Sequence, residues 1–341
     1  MRDRPGARRA RSVAAAGAPL AAQGAVARAA TAQGATVAGA VVAHEGGEPL
    51  GYTTVAVPAL GVRTLAREEG TFVLRGLPPG EVRLRFTRIG YAPRDTTLAV
   101  AADGTARVRV ALARLVLRLP TRVVNGACTD RTPFEPRPAD LAQLFDQVEQ
   151  GADRTRLLAA ERPFVMQATR TRGRRDRGGA LATDTITRGP LPANRYVPRR
   201  IYGRAGEVWA VKLPELADVA DTAFTNHHCL WYAGQQRFGG DSVIRVDFEP
   251  VPWLAREVDL EGSIYVRAAD FRLVGMETRL NRIPPEFRGL RGYATRARFD
   301  ELGAGVPVLA EWELTNTFRD ADGPVVVETG RVTGVRWLPR P

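Results

Sequence analysis

The chain has 341 residues, 49 Lys and Arg against 37 Asp and Glu, and a formal net charge of +12. Lys212 is its only lysine, so arginine carries nearly all of the positive charge. With 44% hydrophobic and 25% charged residues, the composition is that of a globular protein of about two domains, which excludes a disordered, collagen-like or coiled-coil chain. After the N-terminus no apolar run reaches about 18 residues, so no membrane span is expected.

Residues 1–32 open with MRDRPGARRAR, continue in a small-residue apolar run and end at Ala30-Thr31-Ala32 before Gln33. A basic start, an apolar stretch and a small-residue cleavage site are the parts of a secretory signal peptide. Residues 1–32 hold six arginines and one aspartate, so cleavage lowers the formal charge from +12 to +7. Export sets the expectation for the two cysteines, Cys128 and Cys229. In an oxidising compartment they form one disulfide across about 100 residues, contributing up to ~4–5 kcal/mol in the chain-entropy model. Two unrelated buried thiols are the alternative.

From Thr36 to Ala113 seven short apolar runs alternate with turn residues at intervals of about ten, the pattern of an all-β sandwich. EVRLRFT and ARVRVAL alternate strictly, with Val82, Leu84 and Phe86 on one face and arginines on the other. The turns EEG, GLPPG, RIGYAP and AADG carry the Gly and Pro that reversals require. Gly39-Ala40-Val41, Pro49-Leu50-Gly51, Glu69-Gly70-Thr71-Phe72, Gly76-Leu77-Pro78-Pro79-Gly80 and Ile89-Gly90-Tyr91 together resemble the carboxypeptidase regulatory-like domain. That resemblance implies a transthyretin-like seven-stranded sandwich over residues 33–115, presenting loops such as GLPPG and RIGYAP. It does not imply peptidase chemistry, because none of His44, His227 and His228 heads an H-x-x-E pair.

Residues 116–138 read as a linker and 139–341 as a second domain, a helix followed by a large antiparallel sheet. Leu141, Leu144, Phe145 and Val148 stand at helical spacing, with Gly151 expected to interrupt the helix. Strands are expected at 163–172, 205–213, 241–251, 260–268, 271–280, 295–302, 307–318 and 325–337. The hairpin Leu260–Val266 with Ala269–Leu273 is similar to the repeated hairpins of lipoprotein-carrier, LolA/LolB-like half-barrels. The whole order, with Cys128, the helix from Ala139, and Phe224, His228 and Cys229 in F-x-x-x-H-C, looks like a group of bacterial envelope proteins. This implies the periplasm or cell surface of a Gram-negative bacterium.

Chemistry-bearing patterns are few. Ser12, Ser242 and Ser263 are the only serines and none lies in G-x-S-x-G. No phosphate-binding glycine loop opens a helix. No enzyme activity, cofactor or metal is therefore expected, although paired carboxylates of a hydrolase need no sequence signature. Arg170, Arg172, Arg174, Arg175 and Arg177 form a candidate polyanion loop; without stacking aromatics or a recognisable module it points to an envelope polyanion rather than nucleic acid. Trp231, Tyr232 and Trp253 are a candidate glycan platform. The expected function is a non-catalytic exported protein that binds or scaffolds, with an envelope protein, lipid or glycan as partner. A carbohydrate-binding module and a carboxylate-dependent hydrolase are the alternatives.

Overall fold

The computed structural model describes residues 34–118, 139–174, 181–190, 195–205, 208–302, 306–319 and 324–339. The leader, Cys128, Arg175, Arg177 and most of the expected linker lie outside them. Mainly-β architecture is found throughout. The first seven strands are β1 (Ala35–Ala43), β2 (Thr54–Val57), β3 (Val62–Leu65), β4 (Thr71–Leu77), β5 (Gly80–Thr87), β6 (Arg94–Val100) and β7 (Thr105–Leu112). They form two sheets, ordered β4-β1-β7 and β3-β2-β5-β6, with β1 and β7 parallel. Val41, Val55, Phe72, Leu84, Phe86 and Val110 fill the space between, each worth roughly 1.5–3 kcal/mol of buried apolar surface. Gly39 is required here, since a Cβ would stand 2.1 Å from the Val108 carbonyl oxygen.

The second part begins with α1 (Ala139–Glu161), which runs unbroken through Gly151. The expected interruption is absent because this glycine sits where the helix meets its neighbours. A Cβ there would come to 3.4 Å from Ile89 and 3.6 Å from Leu216, so the small residue allows close approach rather than a break. There follow β8 (Phe164–Arg174), β9 (Ala182–Arg188), a small hairpin of β10 (Tyr202–Ala205) and β11 (Val208–Val211), then α2 (Leu216–Val219) and α3 (Thr222–His227). The remaining strands are β12 (His228–Phe238), β13 (Asp241–Pro250), β14 (Leu260–Arg267), β15 (Leu273–Leu280), β16 (Leu290–Leu302), β17 (Val306–Phe318) and β18 (Pro324–Trp337). One antiparallel sheet orders nine of them as β12-β13-β14-β15-β16-β17-β18-β8-β9.

Its two edge strands, β9 and β12, were not among the expected strands. ATDTITR and HCLWYAGQQRF carry too few apolar residues in alternation to read as strands, since an edge strand needs less burial than a central one. Arg170, Arg172 and Arg174 belong to β8, so the expected basic loop is instead the end of a strand over its described part.

The sandwich rests on α1 through the turn expected to be free. Gly90 N–H donates to Gln147 Oε1 at 2.8 Å, and Leu115 N–H to the Gly90 carbonyl at 2.9 Å. Thr64 Oγ1 donates to Glu161 at 3.2 Å, and Leu65 joins the large core of the second part. RIGYAP is thus a docking element, whereas Pro78 and Pro79 of GLPPG are exposed. Below it, Arg154 and Arg272 both pair with Glu301, the latter at 2.8 Å.

Candidate binding face

Alternation divides the nine-stranded sheet into two faces. Register aligns Val246, Ile264, Met276, Ala297 and Trp312 in one row across β13 to β17. All five are buried under a cover that includes α1 and α3, with Leu144, Phe145 and Phe224 in the same core as Phe248 of β13. Gly330 continues the row beneath Trp312, where a Cβ would stand 2.0 Å from the indole.

The neighbouring row faces the other way. Asp247, Ser263, Glu277, Arg296, Glu313, Thr329, Thr171 and Thr183 stand opposite one another in sequence on eight adjacent strands. Every member is a hydrogen-bonding side chain. Two open troughs lie along this row, of about 600 Å³ and about 420 Å³, and Arg296 and Glu313 line both. The larger is closed at one side by Phe238 and Gly239 of the β12–β13 turn. That turn folds over the face because Gly275 leaves room for the Phe238 ring, which a Cβ would meet at 2.1 Å. Phe238 stacks on Tyr265, centroids 4.2 Å apart, and the Arg296 guanidinium lies 4.9 Å from the Phe238 centroid.

The charges of the face are arranged in pairs. Arg245 donates to Asp247 twice, at 2.6 and 3.0 Å, and Ser263 Oγ to the same carboxylate at 2.7 Å. Arg279 meets Glu261 at 2.6 Å and Arg296 meets Glu277 at 3.3 Å. Glu311 takes Arg298 at 3.9 Å and Arg331 Nε at 2.8 Å. Tyr265 O–H donates to Glu277 at 2.8 Å; burial first, and then this carboxylate, push the phenol up to about 12. Glu313 is exposed and has no ion pair among the described residues. The lining is therefore close to charge-neutral while dense in donors and acceptors.

The residues singled out from the sequence are dispersed. Trp231 opposes Asp247 on the open face, and Tyr232 opposes Val246 on the covered one. Trp253, 43% exposed, stands on a separate one-turn helix, so the three rings do not share a platform. Arg170 is tied to Asp184 by bonds of 3.0 and 2.6 Å, which hold that carboxyl below its usual range. Arg172 is exposed opposite Glu328. Cys229 is buried against Val251 and Leu254.

F-x-x-x-H has a helical explanation. Phe224 lies in α3 and His228 follows its last turn, so the rings stack at 4.2 Å. His228 is fully buried, with Nδ1 2.9 Å from the Phe224 carbonyl, Nε2 3.0 Å from that of Leu260, and Asp259 at 3.7 Å. Asp259 in turn accepts from Tyr196 O–H at 2.7 Å. This polar knot pins α3 to β14 inside the core. Among the described residues no three His, Cys, Asp or Glu side chains gather as a metal site.

Among solved structures, the chain is similar to the minor pilin GBS52 of Streptococcus agalactiae at 16% identity and a TM-score of 0.22, covering 26% of this chain and 49% of that one, about half its length. It is similar to a DUF1329 family protein from Desulfovibrio piger at 10% identity and a TM-score of 0.31, covering 57% of this chain and 92% of that one. A LolA superfamily protein from Nitrosomonas europaea is similar at 14% identity and a TM-score of 0.30, covering 57% and 94%. No curated protein matches the sequence. Within the chain, residues 36–113 match the carboxypeptidase regulatory-like domain family, CarboxypepD_reg, over the whole of the first seven-stranded unit but its opening residue.

Proposed function

We propose that the protein is an exported, non-catalytic binding protein of the bacterial envelope, in which the sandwich and α1 brace the large sheet and its open face takes the ligand. The observation that carries this reading is the pair of open troughs along an uninterrupted row of polar side chains. Of the carboxylates there, Asp247, Glu277 and Glu311 are held in hydrogen bonds and ion pairs, which leaves Glu313 without the second free carboxylate that a hydrolase needs and favours binding over catalysis. The Arg-rich leader ending at Ala30-Thr31-Ala32 supports export to the periplasm or cell surface. In that compartment Cys128 and Cys229 form the one disulfide of the chain.

The binding reading is tested by titrating isolated envelope components, namely cell-wall glycan, lipopolysaccharide and phospholipid vesicles, onto the full chain and onto a chain with both troughs filled by Thr315→Trp and Thr329→Trp. Binding of one component, lost on filling at unchanged thermal stability, is the expected result. Equal binding by the filled chain contradicts it. Export predicts a periplasmic product starting at Gln33, with no free thiol before reduction. An intact N-terminus in the cytoplasm, or two free thiols in the exported chain, contradicts the corresponding part.

A further inference from the structure

We infer that the open face recognises a linear, uncharged oligosaccharide lying across the strands; this deepens the binding reading and rests on it. The row from Asp247 to Thr183 crosses eight strands, ~34 Å at ~4.8 Å per strand, which accommodates about six or seven sugar units laid end to end at about 5 Å each. Its members are three carboxylates that accept, one guanidinium that donates and four hydroxyls that do both, so the row as a whole offers donors and acceptors along its length. A chain of hydroxyls, each both donor and acceptor, is the ligand that such a row satisfies.

Other ligand classes fit the same surface less well. A polyanion needs a net positive field, and here Arg245, Arg279, Arg296, Arg298 and Arg331 each have a carboxylate partner. Acyl chains need a continuous apolar lining, and that of this sheet is on the opposite face beneath α1 and α3, whereas on the open face Phe238 stands among charged and hydroxyl side chains. An extended peptide binds a sheet by adding to its edge, whereas these troughs lie over strands paired on both sides. Arg296 lies over the Phe238 ring and pairs with Glu277 at the boundary of the two troughs, where its remaining N–H groups face a ligand. Glu313 beside it has no ion pair among the described residues and offers its carboxylate to a ligand hydroxyl.

The test is calorimetric titration of the full chain with neutral linear oligosaccharides of about six units, with acidic oligosaccharides, with an extended neutral peptide and with anionic phospholipid vesicles. Neutral oligosaccharide is expected to bind, to weaken about tenfold or more with Glu313→Ala, as loss of a charged hydrogen-bond partner implies, and to change little when salt is raised. Thr315→Trp, with the fold checked by circular dichroism, is expected to abolish it. Failure of every neutral oligosaccharide overturns the ligand class. Tighter, salt-sensitive binding of the acidic sugars or vesicles, or preference for the peptide, does the same. If one of those ligands is nevertheless lost on Thr315→Trp, the open-face reading stands without the sugar. If oligosaccharide binds and neither substitution affects it, the open-face reading itself fails.

Discussion

The same strands present two opposite surfaces. On one side Val246, Ile264, Met276, Ala297 and Trp312 lie buried under helices; on the other, one residue along, Asp247 leads a row in which Ser263, Glu277, Arg296 and Glu313 line open troughs. A strand's period of two places these rows back to back. The covered face holds the main core, while on the open face burial centres on the patch around Phe238, Val243 and Tyr265. The ion pairs of the open face are solvent-facing and contribute little to stability, which leaves that face free to be selected for recognition.

Changes on the covered face should break this contrast most severely. Phe248→Ala opens a cavity beside Phe224 and His228 and is expected to cost ~3–5 kcal/mol in urea denaturation. Gly330→Ala and Gly275→Ala come next. Each drives a methyl into the ring of Trp312 or Phe238, for about 1–3 kcal/mol, and Gly275→Ala should also displace the turn that bounds the larger trough.

A smaller effect follows from His228. Burial, its largest influence, holds the imidazole below the ordinary histidine value, against Asp259 and the two carbonyls, which raise it. As pH falls through about 6.5 the unfolded chain takes up this proton first, so stability present above that pH declines below it. Denaturation at pH 8 and pH 5 should show the loss in the natural chain and in His44→Gln, and its reduction in His228→Gln. The smallest change is expected on the open face. Arg279→Ala removes a pair whose arginine is 69% exposed and should shift stability by less than ~1 kcal/mol.

The sandwich was legible almost strand by strand, because TFVLRGL and GEVRLRFT alternate clearly and Gly and Pro mark the reversals between them. The central strands of the second sheet were legible for the same reason. Edge strand β9 alternates exposed Thr183, Thr185 and Thr187 with half-buried Asp184, Ile186 and Arg188, but Ile186 is the one large apolar residue on that side, and β12 begins inside a helical motif. The helix runs through Gly151 against its sequence pattern because the glycine answers to contacts with Ile89 and Leu216, distant in sequence. The open face was invisible for a related reason: Asp247 and Thr183 belong to one row only through the register of eight strands. Single polar residues scattered from Thr171 to Thr329 carry no local signal of that row. The aromatic residues drew attention instead, yet Trp231 and Tyr232, being adjacent on a strand, necessarily point to opposite faces.

Carboxyl footprinting tests the central claim most directly: the chain is labelled with a carbodiimide and an amine, with and without the oligosaccharide that it binds, and the label on each carboxylate is read by mass spectrometry. Glu313 and Glu277 should be protected on binding, while Glu45, Glu48 and Glu68 of the sandwich keep their labelling. Unchanged labelling of Glu313 and Glu277, with protection on the sandwich, would contradict the account.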